Sequence, residues 1–489
     1  MFRTWSITSN RMRSRFTTDG YLTVTLSLVL TVLLSFVLAF FSSARTGAAK
    51  VRAECVTGIA LDAVLAEYNR ALFDRYDLLF LDTSYGSAVA DTSQTEEHLR
   101  KYVQKNLSAS TAGELAGSAR FTGLSCTGVK IPSYVRATDG NGAVLRRQIL
   151  EYMRAEPVEN ALAEATENLN LLRAQGYDTR DVASEMTAQY AELEQTFADA
   201  GVPIADAQED ALQVQGKRSL GVLTLAHPDK ASISDAACTP SVYVSGRTLS
   251  QGNAYAGGEN LSATERLLID QYFTEKCGYY GAVRDGSRLD YQLEYMIAGK
   301  GSDYENLEHV ARTLLAWREA SNFAYIMRDG GKKALAKAGG IAVAVLLLSP
   351  SLEKPVETAI LFAWSFAESI ADLRTLYNGG RVPLIKTSGT WKLSLLNILS
   401  FGEGTHGTTG LDYGDYLRIL LLMEDLNSKT LRFADIVEMD LRETEGNLNF
   451  RLDGCLDWLS AEVSFKSKTA FQGTFVRKGG YSAHEEAAK

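Results

Sequence analysis

Proline is scarce, with 8 in 489 residues, and none precedes Pro132. Long proline-rich linkers are thereby excluded, and the first quarter of the chain is open to uninterrupted helix. Cysteine is scarcer still. The five (Cys55, Cys126, Cys238, Cys277 and Cys455) are too few and too scattered for a disulfide scaffold, and none forms the CxxC pair of a zinc site. An odd number leaves at least one free thiol. A Cys238–Cys277 pair stays open beside the plainer reading of buried apolar thiols. The five histidines (His98, His227, His309, His406 and His484) match neither HExxH nor triad spacing. Gly379-Gly380 and Gly402-Glu403-Gly404 lack the strand, helix and lysine of a phosphate loop and read as turns. No Lys/Arg-rich run exists and the net charge is −9, which argues against nucleic acid as a partner, since binding it needs basic patches.

What the sequence does have is one long apolar run. Residues 21–41 read YLTVTLSLVLTVLLSFVLAFF without a charge. A bilayer core of roughly 30 Å needs about 20 apolar helical residues, so residues 21–42 are expected to span a membrane and contact its lipid. A cleaved secretory signal ending near Ser42-Ser43-Ala44 is the alternative. Arg3, Arg11, Arg13 and Arg15 precede the run, and Arg45, Lys50 and Arg52 follow it. That bias, with an acidic remainder, places residues 1–20 as a short basic cytoplasmic leader and the bulk of the chain outside the cell.

Apolar residues continue at helical spacing beyond the run, through Val51, Cys55, Ile59, Val64, Tyr68, Leu72 and Tyr76. They predict one spine helix over residues 43–81, ended by the turn from Asp82 to Gly86. The remaining residues, 82–489, predict an extracytoplasmic α+β domain that is predominantly helical, with short antiparallel strands. Strands are expected over 124–137, 220–226, 242–245, 448–452 and 461–465, with a turn at Asp139-Gly140-Asn141-Gly142. A helical hairpin is expected over 156–200. A second, strongly apolar hairpin is expected over 334–377. Its run at 338–349 is too short to span and is read as the buried centre of the core, with a membrane-docked hairpin as the alternative.

One constellation invites a chemical reading. Trp364, Glu368 and Asp372 fall at i, i+4 and i+8 on one helix face, and paired carboxylates can serve acid/base or metal chemistry. No histidine completes the site and Arg374 is placed to pair locally, so a structural ion pair is expected. No catalytic, cofactor-binding or metal-ligating residue is therefore assigned.

The leader ending at Gly20 followed by YLTVTLSLVL resembles the anchor of TadE/TadG-type pilin-like proteins of tight-adherence (Tad) pilus systems. Thr25 stands where that family often has a glutamate. The rest of the chain resembles a domain family of unknown function from low-GC Gram-positive bacteria, commonly found beside such pilus components. The motifs are YQLEYMIAGK (291–300), WSFAES with ADLR (364–374), VPLIKT followed by Trp391, and GLDYGDYLRILLLM with LRFADIVEMDLR (410–442). The resemblance implies a non-enzymatic envelope protein, pilin-like or accessory, whose partners are other envelope or pilus proteins. A membrane-tethered enzyme using Glu368 and Asp372, or a sensor or adaptor, are the other readings.

Overall fold

The computed structural model describes residues 18–108, 122–155, 188, 191–199, 213–214, 217–227, 229–347, 349–402, 407–467 and 471–482. Two compact units result. The first comprises residues 18–66, 95–132 and 460–479 of the described chain, and the second comprises 67–94, 133–459 and 480–482.

In the first unit, helix α1 (Thr18–Leu65) is long and apolar enough to cross a membrane. From Tyr21 to Ala44 every side chain but Thr25 is exposed, and the run measures about 36 Å. The hydroxyls of Thr25, Ser27, Thr31 and Ser35 are satisfied within the helix. Thr25 donates to the carbonyls of Tyr21 (2.9 Å) and Leu22 (3.0 Å), and Thr31 donates to Ser27 (2.7 Å). That back-bonding lets hydroxyls sit in an apolar run without an unpaired donor. Beyond it the helix becomes amphipathic, burying Ala49, Ala53, Val56, Ala60, Leu61 and Val64 along one stripe. Helix α3 (Thr92–Ser108) buries Thr95, Leu99 and Val103, and its Glu96 accepts from the Ile131 amide of strand β2 (Leu124–Arg136) at 2.8 Å. Strand β4 (Gln472–Gly480) meets α1, where a Cβ at Gly479 would come within 3.0 Å of Leu65 Cδ1.

The spine helix expected to reach residue 81 ends at Leu65. The apolar spacing at Leu72 and Tyr76 belongs to a separate helix, α2 (Arg70–Tyr76), in the second unit. Asn69 caps it by accepting from Leu72 N, and Asp77 closes it in the left-handed region at φ 54°. Strand β1 (Leu81–Asp82) follows and pairs antiparallel with β3 (Cys455–Ser467), Leu81 opposite Leu456. The sheet order is β1-β3-β2, with β4 also pairing β3.

The DGNG turn is present, with Gly140, Asn141 and Gly142 all at positive φ, and it leads into α4 (Asp139–Ala155). A Cβ at Gly142 would meet Thr430 Cγ2 at 2.7 Å, so the close approach as well as the φ of 83° requires glycine. Three expected strands are not strands. Residues 222–226 form a short helix α5 (Val222–Ala226), 240–242 form a 3₁₀ turn, and 448–452 precede β3 as an irregular segment. The hairpin expected over 156–200 lies outside the described residues except at positions 188 and 191–199, which are helical.

The core of the second unit is built from α6 (Ala263–Lys276), α7 (Gln292–Ala298), α8 (Asp303–Ile326), α9 (Gly330–Leu346), α10 (Glu353–Tyr377), α11 (Tyr413–Met423) and α12 (Leu426–Arg442). Starts are capped as the sequence dictates, with reciprocal capping boxes at Ser262/Glu265 and Asp412/Asp415. Helix α10 is the enclosed one, buried from Val356 to Tyr377 except at Thr358 and Arg374. Its hairpin partner α9 is not the buried centre that the sequence suggests. Among its residues only Ala336, Gly340, Val343 and Ala344 are buried. All five cysteines are free thiols, so the Cys238–Cys277 pair is not formed; Cys277 and Cys455 are buried.

Candidate functional site

Glu368 and Asp372 lie on α10 as the spacing predicts, and both are fully buried. Two unneutralised carboxylates in such a setting would be prohibitive, so their partners decide what the pair can do. The partners come from far away in sequence. Lys386 Nζ donates to Glu368 Oε1 (2.6 Å), Asp372 Oδ1 (2.7 Å) and the Thr390 carbonyl (3.1 Å), which uses all three ammonium protons. Arg318 on α8 donates to Asp372 Oδ2 through Nε (3.2 Å) and Nη2 (2.9 Å). Its Nη1 reaches the carbonyls of Pro383 and Leu384, both at 2.9 Å. Arg374 does not pair with either carboxylate; its Nη1 donates to the Leu225 carbonyl at 3.1 Å.

Burial alone would raise the Asp372 carboxyl, but Lys386 and Arg318 override it and hold it well below the usual carboxylate range. For Glu368 burial prevails over Lys386 and the value is raised. Lys392, the one partly exposed member, is lowered by burial and lies 3.4 Å from Asp372.

The same face binds a loop. Glu368 also accepts from the backbone amides of Lys392 and Leu393, both at 2.9 Å, and Trp364 Nε1 donates to the Leu393 carbonyl at 3.0 Å. Trp364, Glu368 and Asp372 therefore form a track that seats the segment from Lys386 to Leu393. Proton donors occupy both oxygens of each carboxylate, so the pair is built to hold backbone and cations in place.

Two further polar clusters escaped the sequence reading. On α12, Asp435, Glu438 and Asp440 are buried among Phe433, Ile436, Val437 and Met439. Asp435 accepts from Tyr295 OH (2.8 Å), Glu438 from Arg247 and from Leu452 N (2.8 Å), and Asp440 from Arg75 and Tyr76 OH (2.7 Å). Acidic residues inside an otherwise apolar stripe were the available signal. On α7, Glu294 Oε1 accepts from Tyr413 OH (2.9 Å) and Tyr280 N (3.0 Å), while Oε2 is buried without a partner among the described residues. His227 Nε2 is likewise buried without a hydrogen bond among the described residues. Rings of His227, Tyr280, Tyr377 and Tyr413 pack edge-on or tilted at 5.1–6.0 Å between centroids. Burial raises the Glu294 carboxyl to about 7, and its hydrogen bonds from Tyr280 and Tyr413 only partly oppose this. His227 is lowered by burial; its Nδ1 accepts from Asp229 N at 3.1 Å, which leaves the proton of the neutral ring on Nε2.

Among the described residues no group of three or more His, Cys, Asp or Glu is arranged to hold a metal ion. No curated protein and no solved structure matches the chain. A family model does match, over residues 205–467, more than half of the chain. The match takes in Arg318, Glu368, Asp372, Lys386, Glu294, Tyr413 and the three α12 carboxylates. The chain thus belongs to the family of unknown function DUF5702.

Proposed function

We propose that the protein is a membrane-anchored, non-enzymatic component of the cell envelope, with residues preceding the span in the cytoplasm and the chain beyond it outside. The observation that carries this reading is the stretch of α1 from Tyr21 to Ala44, apolar and exposed over a membrane's thickness. The likeness of that stretch to TadE/TadG-type anchors points to a Tad-type pilus or secretion system. Thr25, whose hydroxyl is spent on its own helix, favours an accessory subunit held in the bilayer over one packed into a filament through a buried charge. The enzyme reading gains nothing from Glu368 and Asp372, whose oxygens are taken by Lys386, Arg318 and backbone amides.

Crosslinking in native membranes, followed by isolation of the full chain, tests the proposal. Tad-type subunits should be recovered with it. Recovery of the chain in the membrane fraction without them would overturn the pilus assignment.

A further inference from the structure

Helix α9 is apolar on both sides. One side, Ala336, Gly340, Val343 and Ala344, faces the protein; a Cβ at Gly340 would lie 2.7 Å from the Glu353 carbonyl of α10's first residue. At 100° per residue the opposite side carries Leu335, Ala338, Ile341, Ala342, Val345 and Leu346. All are exposed, Val345 by 68% and Leu346 by 64%. A surface helix with water on that side would carry charged and polar residues there. Instead an exposed lysine, Lys337, stands at one margin with Lys333 one turn before it, while Lys332 on the other side is paired with Asp329 at 2.8 Å. From Arg328 to Lys354 there are five basic residues against two acidic ones, within a chain of net charge −9.

Apolar residues across one helix face with lysine along one edge suit a helix lying in the plane of an anionic bilayer surface. The apolar side enters the headgroup–acyl boundary and the lysine stems extend to the phosphates. Seventeen residues make a helix of about 25 Å, too short to cross. A bilayer is also within reach, because the chain that carries α9 is tethered to one by α1. We propose that the Leu335–Leu346 face of α9 docks on the surface of an anionic phospholipid bilayer, fixing the second unit at the membrane. This rests on the reading of α1 as an anchor.

The test uses the full chain reconstituted into phosphatidylglycerol vesicles, with a photo-crosslinking benzoyl-phenylalanine in place of Val345. The same probe at Leu28 in α1 reports the anchor, and at exposed Leu448 it reports background. Lipid adducts are expected at positions 345 and 28 and not at 448. Replacing Lys333 and Lys337 by Glu, or changing the vesicles to phosphatidylcholine, should reduce the adduct at 345 about fivefold or more and leave that at 28 unchanged. Adducts at 28 without any at 345 overturn the docking and leave the anchor standing. Adducts at neither overturn both. A crosslink from 345 to a second copy or another protein overturns the lipid assignment, since that face would then be a protein interface.

Discussion

At the scale of single residues, the second unit holds charge where charge is hardest to hold. Lys386 is the hinge of the Glu368–Asp372 cluster, because its ammonium donates to both carboxylates, at 2.6 and 2.7 Å. Lys386→Met would leave two buried carboxylates with only Arg318 and Lys392 as neighbouring cations. Removing one partner of a buried ion pair typically destabilises by about 3–5 kcal/mol. Arg374→Ala removes one hydrogen bond outside the cluster and should lower stability by about 1 kcal/mol. Denaturant midpoints of the two variants in detergent check this, and equal losses would contradict the network described. Glu294 adds a pH dependence of definite sign. Its carboxyl keeps a proton in the fold to about pH 7, whereas the unperturbed value is 4.5. The stability that this proton supplies is complete below pH 4.5 and is lost as pH rises through 7, a span worth roughly 3 kcal/mol. Asp270 and Asp435, both raised to about 6, contribute slopes of the same sign. The Glu294→Gln variant should therefore show a shallower fall in stability between pH 4.5 and 7 than the wild type, and an unchanged slope would remove Glu294 as its source.

At the scale of elements, the hairpin of α9 and α10 shows where sequence reading reaches and where it stops. Both helices are apolar, and both were legible as helices from period and from Pro350 and Pro355. Which of them is enclosed depends on what α8 and the loop from Lys386 bring to α10, and those lie outside the hairpin itself. The Glu368–Asp372 face was legible for the same reason, since i and i+4 share a face in any helix. Its cations were not, because Arg318 stands 54 positions from Asp372 and Lys386 stands 18 from Glu368. The overlong spine helix had a local remedy. Asn69 is a good N-cap, and its presence between Tyr68 and Arg70 signals a new helix start within the apparent period. Close packing of the hairpin is open to a direct test. Gly340→Ala would push a Cβ to 2.7 Å from the Glu353 carbonyl and 3.0 Å from the Glu357 amide, both backbone atoms. The helices must then separate, with an expected loss of about 1–3 kcal/mol. Gly330→Ala, with open space at its Cβ, should change stability by no more than about 0.5 kcal/mol. Thermal unfolding of the pair distinguishes them, and equal midpoints would mean that the Gly340 contact yields without strain.

At the scale of the whole molecule, the proposed function turns on which side of a membrane the chain beyond α1's apolar run occupies. Cys55 is placed to report it. It is a free, exposed thiol on α1, past the stretch that ends at Ala44. Cys277 and Cys455 are buried, and burial raises both thiols, so neither competes for a thiolate-directed reagent in the folded protein. Cys126 and Cys238 are half-buried and are removed by Cys126→Ser and Cys238→Ser. In intact cells a membrane-impermeant maleimide should then label the chain at Cys55, and Cys55→Ser should abolish the label. Labelling only after permeabilisation would place the chain beyond the span inside the cell and reverse the proposed orientation. Labelling of intact cells combined with release of the chain by alkaline extraction would instead separate sidedness from anchoring. The protein would then be external yet not held by α1, and both the pilin-like anchor and the lipid docking of α9 would fall with it.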